Sequence, residues 1–183
     1  MAGLLSHALL AMAASAILGS AIGIPGISWG VFAAGFIAMM IELDLDDLSQ
    51  NSRSPIGHSI FFTIAWILGL SALFYGLALG GALSMKFSYE MILAIISAFT
   101  THLAIDMFTK EGIYTFPKGS NVKRWVTRLS KGDRKCWEYW HLFHNEKLKR
   151  WQRANEDPIL NALVSIPSLL IIIFFVAVMP KPV

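Results

Sequence analysis

Hydrophobic residues in this chain fall into five long runs, at residues 4–22, 27–41, 58–79, 89–107 and 159–179, with polar residues gathered between them. Runs of this kind, nearly free of charge, predict membrane-spanning helices. The second run is short for a span and reaches across only by including part of residues 42–48. Gly23, Ile24, Pro25 and Gly26 predict a turn after the first run, and Gly80 with Gly81 ends the third. Pro167 interrupts the fifth. Gly19 with Gly23, and Gly76 with Gly80, have the spacing that lets membrane helices approach closely.

Between the fourth and fifth runs the pattern changes. Trp137, Trp140, His144, Leu148 and Trp151 recur at intervals of three or four, with Lys135, Glu138, Lys149 and Arg153 mostly on the other side. This predicts an amphipathic helix lying in the membrane interface, with His141 and His144 as part of its aromatic belt. The fold class expected is therefore all-α, an integral membrane protein with about five transmembrane helices plus that interfacial helix. Its expected divisions are a membrane-embedded domain at 1–117, a basic interfacial segment at 118–157 and a C-terminal transmembrane helix at 158–183.

Composition agrees with a membrane class: 55% of the 183 residues are hydrophobic and 15% are charged, and the mean hydropathy is +0.57. Twelve of the fifteen Lys and Arg lie between residues 110 and 153. That concentration reads as a cytoplasmic loop beside anionic lipid, and no nucleic-acid partner is expected from it. It sets the orientation: N-terminus in the cytoplasm, C-terminus outside, in a cytoplasmic (inner) membrane. The first twenty residues carry no Lys or Arg, so they read as a retained span and not as a cleaved signal. The single cysteine, Cys136, excludes an intrachain disulfide and a Cys-rich metal site.

With this orientation, the ionisable residues of the membrane region gather in one layer. His102 and Asp106, four apart, share a helix face and lie about 6 Å apart along its axis. If Ser88 marks the outer edge, His102 is about 21 Å along a core about 30 Å thick, in its inner third. The loop holding Asp44, Asp46 and Asp47, together with His58 and the early His7, falls on the same side. An Asp at a helix centre costs about 2.5–3.5 kcal/mol to insert, and a bound cation offsets much of that. Imidazole and carboxylate ligands without thiolate suit Zn²⁺, with Mn²⁺ or Fe²⁺ as alternatives. A capped helix end and a solvated acidic turn are the plain structural alternative.

These pieces, Ser6-His7, the acidic Asp44-Leu45-Asp46-Asp47, Gly57-His58-Ser59 and the run from Thr101 through His102, Asp106 and Thr109 to Gly112, resemble the membrane-bound metal-dependent hydrolase family, which includes a LexA-regulated inner-membrane hydrolase. The similarity covers roughly residues 5–117. Glu42 and Leu43 stand where that family has Leu-Pro, Asp47 where it has His, Arg53 where it has the first His of its third motif, and Gly57 where it has Thr. The order of residue types is also similar to the helical zinc-dependent phospholipase C and nuclease group.

The resemblance implies metal-dependent hydrolysis of an ester or phosphoester, in a lipid or lipid-linked substrate at the cytoplasmic face. It implies that Asp44, His58, His102 and Asp106 hold the main metal and that His7, sharing Asp106, holds a second. Asp46 or Asp47 serves as general base or outer partner. Arg53 holds a phosphate oxygen or is an inside-positive anchor. The rival expectation is a non-catalytic metal-binding membrane protein, either a scaffold or a divalent-metal transporter. A transporter is expected to place its ligands near the midplane, whereas the polar residues here crowd one face.

Overall fold

The computed structural model describes residues 2–24, 28–47, 59–107, 113–117, 137–140 and 158–178. Five helices account for most of them: α1 (Ala2–Ala21), α2 (Trp29–Asp47), α3 (Ile60–Leu79), α4 (Met85–Met107) and α5 (Pro158–Val178). Each of the five hydrophobic runs forms one helix. The architecture is helical, with one two-stranded ribbon, β1 (Ile113–Pro117) and β2 (Trp137–Trp140).

Glycine closes both helical hairpins. After α1, Gly23 has φ 79°, and Ile24 N–H reaches back to the Gly19 carbonyl at 2.9 Å while Gly23 N–H reaches Ser20. After α3, Gly81 has φ 76°, and Ala82 N–H bonds the Leu77 carbonyl at 2.9 Å. In both cases a left-handed residue satisfies carbonyls that the helix end would leave orphaned. Ser84 then caps α4, accepting Phe87 N–H at 3.2 Å. Helix α4 therefore starts earlier than residue 89. Ser88 lies inside it, buried, and donates to the Phe74 carbonyl of α3; it is not the edge of a span.

Helix α4 is the centre of the bundle, packing on α1, α2 and α3, while α5 packs on α1. Its contact with α2 is a ladder of small residues. Ala34, Ala38 and Ile41 share one buried cluster with Ala11, Ala94, Ile95, Ala98 and Phe99. At Gly30 a Cβ would stand 2.6 Å from the Glu90 carbonyl oxygen, so the two backbones touch. The intervals from Gly30 to Ala34 and Ala38 match those from Glu90 to Ala94 and Ala98, which sets the helices parallel and in step. The expected Gly76 and Gly80 contact does not form this way. A Cβ at Gly76 meets nothing within 4 Å, and Gly80 ends α3.

Two stretches depart from expectation. Residues 137–140 form a strand and not part of an interfacial helix. Trp137, Tyr139 and Trp140 pair with the β-branched and aromatic strand at 113–117. Aromatic residues fit either pattern, and the partner strand decided it. Residues 141–157, with His141 and His144, lie outside the described residues, as does Cys136. The acids Asp44, Asp46 and Asp47 lie on the last turns of α2 and not in a loop, because α2 runs unbroken through them.

The outside of the bundle is apolar. Trp29, Phe36, Leu68, Leu79, Leu163 and Leu170 are all exposed, and only Thr63 and Ala78 of α3 are buried. Among the described residues, two helices, Ile60–Leu79 and Met85–Met107, are long and apolar enough to cross a membrane. Leu5–Ala21, Trp29–Ile41 and Ala162–Ala177 are shorter apolar stretches.

The Gly30 contact gives a test. Gly30→Val forces backbone against backbone and is expected to cost about 1–3 kcal/mol. Gly69→Ala, where a Cβ meets nothing within 4 Å, is expected to be neutral or to stabilise by up to about 1 kcal/mol. Thermal unfolding of the two variants in the same detergent reads the difference, and equal midpoints would refute the close approach of α2 and α4.

Candidate functional site

Helix α1 carries His7 one and a half turns from its start, and α4 carries His102 and Asp106 in its last two turns. Antiparallel packing brings these ends together. The imidazoles of His7 and His102 lie with ring centres 4.9 Å apart, tilted by 41°. His102 Nε2 is 3.3 Å from Asp106 Oδ2. All three side chains are about 1% exposed. Two polar rings and a carboxylate, far apart in sequence, thus share one buried site in an apolar bundle.

The helix registers place the neighbouring elements. Gly30 and Glu90 are level, so Asp44, fourteen residues on, has its backbone level with residue 104, between His102 and Asp106. Phe74 and Ser88 are level across the antiparallel α3–α4 hairpin, so Ser59, fifteen residues before Phe74, is level with residue 103. At a rise of about 1.5 Å per residue these positions lie within one turn of His102. Ser59 is buried, caps α3 by accepting Phe62 N–H at 3.1 Å, and bridges Tyr114 of β1, itself buried. On the far side of α1, Ser6 Oγ lies 3.0 Å from Ser165 Oγ of α5. The ends of α1, α3 and α4 thus bring described polar residues to one layer, and Ser165 of α5 meets it through Ser6.

Electrostatics at this end favour a cation. Asp106 sits at the C-terminal end of α4, and Asp44, Asp46 and Asp47 at that of α2. Neither helix has a basic residue in its last turn. A helix C-terminus carries partial negative charge, so a carboxylate there is doubly unfavourable until a cation joins it.

The two described imidazoles are spaced as a pair of ligands to one divalent ion would be. Two imidazoles bound to one tetrahedral ion, at about 2.0–2.1 Å from each nitrogen, have ring centres about 5 Å apart, close to the spacing seen. His7 Nε2 and His102 Nδ1 are buried ring nitrogens. The described side chains do not by themselves complete a three-ligand group. The other expected ligands, the Asp44 carboxylate and His58, lie outside the described atoms, as do Arg53 and the carboxylates of Asp46 and Asp47. Of the expected site residues, the structure brings together His7, His102 and Asp106.

Thr63 and Tyr114 do not stand out in the sequence, whereas Ser59 follows His58 in the motif given above. Threonine is unremarkable in an apolar helix, and Tyr114 acquires its place through strand pairing. Ser59 also stands directly before an apolar run, an N-cap pattern. Comparison with protein-family models, with curated proteins and with solved structures found no match.

The His7–His102 contact predicts energetic coupling. In a double-mutant cycle of His7→Ala and His102→Ala, the interaction energy is expected to exceed about 0.5 kcal/mol, read by denaturant unfolding in micelles. Additive effects would separate the two rings.

Proposed function

We propose that this chain is a membrane-embedded, metal-dependent hydrolase that cleaves an ester or phosphoester of a lipid or lipid-linked substrate at the cytoplasmic face of an inner membrane. In this reading all five helices cross the bilayer, with the N-terminus inside. The carrying observation is the buried meeting of His7, His102 and Asp106, with the backbone of Asp44 level with it. The resemblance to membrane-bound metal-dependent hydrolases, and the apolar exterior of the bundle, point the same way.

His102 and Asp106, with Asp44 and His58, would hold the ion, and His7 would either join them or share Asp106 with a second. When bound, a divalent ion supplies Lewis-acid polarisation and lowers the pKa of a coordinated water. Asp46 or Asp47 takes the proton as general base, and Arg53, through its bidentate guanidinium, holds a phosphate oxygen. The small-residue ladder between α2 and α4 supports this reading, because it would keep the acidic end of α2 at the His102 end of α4.

One observation favours a rival reading. All three described site residues are almost fully buried, as in a metal clasp that only ties α1 to α4.

Metal content and turnover separate the two readings. Purified protein is expected to carry at least one transition-metal ion, lost in His102→Ala and kept in His141→Ala and His144→Ala. In the hydrolase, Asp46→Asn or Asp47→Asn lowers activity on a chromogenic phosphodiester and short-chain phospholipids about a hundredfold while metal and stability stay, within the range of about 10²–10⁴ for a general base. A metal-loaded wild type inactive on every ester leaves the clasp.

A further inference from the structure

From the heights at which exposed side chains change character, we infer that the bundle seats itself in a thinned bilayer. Its outer surface is a lipid-facing band about 21 Å tall, which draws the cytoplasmic headgroup boundary to the level of the His102 layer. This inference rests on the five-span reading, and it adds what the outside of the bundle does for the site.

The outer limit of the band is a girdle. Trp29 of α2 is 76% exposed, Tyr75 of α3 43% and Tyr89 of α4 45%, and Lys86 of α4 is exposed too. The two helix registers set their heights. Trp29 precedes Gly30, which touches Glu90, so it is level with Tyr89. Tyr75 follows Phe74, which meets Ser88, so in the antiparallel hairpin it is level with residue 87. Four amphipathic side chains on three helices thus fall within about 5 Å of one another along the bundle. Indole, phenol and ammonium groups on apolar stems gather where hydrocarbon meets headgroups. Helices α3 and α4 run on past this level by about a turn, so the girdle and not the helix ends marks the boundary.

The inner limit is set by acids. Glu42 of α2 is level with His102, twelve residues on from the Gly30–Glu90 contact in each helix. Glu42, Asp44, Asp46 and Asp47 are four acids in six residues, and on a helix they cannot all turn inward. Ser59, ahead of α3, stands at the same height. Between the two limits the exposed side chains of α2, α3 and α4 are apolar or aromatic, except Thr100, whose hydroxyl donates to the Ile96 carbonyl at 2.6 Å. From the girdle to His102 is about fourteen residues, or about 21 Å, against about 30 Å for an ordinary hydrocarbon core.

The difference of about 9 Å falls either on the protein or on the lipid. A core of full thickness would bury the girdle or the acids in hydrocarbon. A carboxylate there is costly, whereas a bilayer thins beside a short band at a modest cost per ångström. The lipid therefore gives way. The boundary at which lipids carry their phosphate and ester groups then lies level with His102 and Asp106, and not beyond them.

The test is the fit to bilayers of graded thickness. Full-length protein is reconstituted in dimyristoleoyl, dioleoyl and dierucoyl phosphatidylcholine, from thin to thick, and unfolded by heat in each. The midpoint is expected to be highest in the dimyristoleoyl bilayer and to fall by about 2–4 °C at each step up. The double variant Trp29→Leu with Lys86→Leu, at two exposed positions, removes half of the girdle and is expected to move the maximum to the dioleoyl bilayer. Leu68→Ala, equally exposed but inside the band, is expected to leave the maximum where it is. Phosphatidylcholines brominated at shallow or deep chain positions report what covers the surface. Trp66 of α3, level with residue 96, lies near the middle of the band. Trp29→Phe is therefore expected to remove fluorescence quenched by shallow bromine, and Trp66→Phe fluorescence quenched by deep bromine. A wild-type maximum in either thicker bilayer, or no dependence on thickness, overturns the inference. With both tryptophans still quenched, that result would leave the five-span reading standing. Quenching of neither tryptophan would mean that protein covers these faces, and would remove the inference and the five-span reading together.

Discussion

A carboxylate and two imidazoles buried at one end of an apolar bundle must be compensated, and much of the structure can be traced to that requirement. Asp106 cannot reach water, so it is held beside His102, which in turn lies against His7. For these rings to meet, the start of α1 must lie against the end of α4, which fixes their antiparallel pairing. The α2–α4 ladder then sets the height of the acidic turns of α2, and the hairpin closed at Gly81 sets the height of the start of α3. The polar layer is the point at which all of these registers agree.

What holds the registers is mostly the absence of side chains. At Gly30 the α2 backbone lies directly on that of α4, and Ala34, Ala38, Ala94 and Ala98 continue the approach. Small residues gain little from burial as such, but they let many backbone atoms reach van der Waals distance and leave little freedom to slide. A shift of one turn would move the acids of α2 about 5.4 Å away from His102. The ladder and the site are therefore parts of one arrangement.

The helices were legible in the sequence because apolar runs are local and long, but the end of α2 was only half legible, since its acids read both as the missing length of a short span and as a loop. The ribbon was not legible. Ile113 and Trp140 pair across more than twenty residues, and aromatic residues at intervals of three suit a helix until a partner strand is known. The meeting of His7 with His102 was expected from two sides: as membership of one layer, inferred from where Lys and Arg cluster, and as the shared Asp106 that the family resemblance implies. The ladder was missed because a search for paired glycines passes over Gly30, Ala34 and Ala38, in which alanine does the same work. Gly76 and Gly80 had the right spacing on a face that meets no other helix of the bundle. Thr63 was missed because burial of one hydroxyl depends on which face of α3 turns inward, and α3 is apolar all round.

The shortness of α2 bears on how such a chain enters a bilayer. Its apolar stretch, Trp29–Ile41, is only part of a 19-residue helix that ends in acids. Thirteen residues of helix span about 20 Å, against a hydrocarbon core of about 30 Å. Alone, α2 is a poor candidate for recognition by an insertion machine. In the proposed five-span arrangement, α2 would enter joined to α1 as the second arm of a hairpin, with the apolar first arm supplying the driving force. The ladder would then form only when α4 follows, so the polar layer would be completed after α1 and α2 are in place.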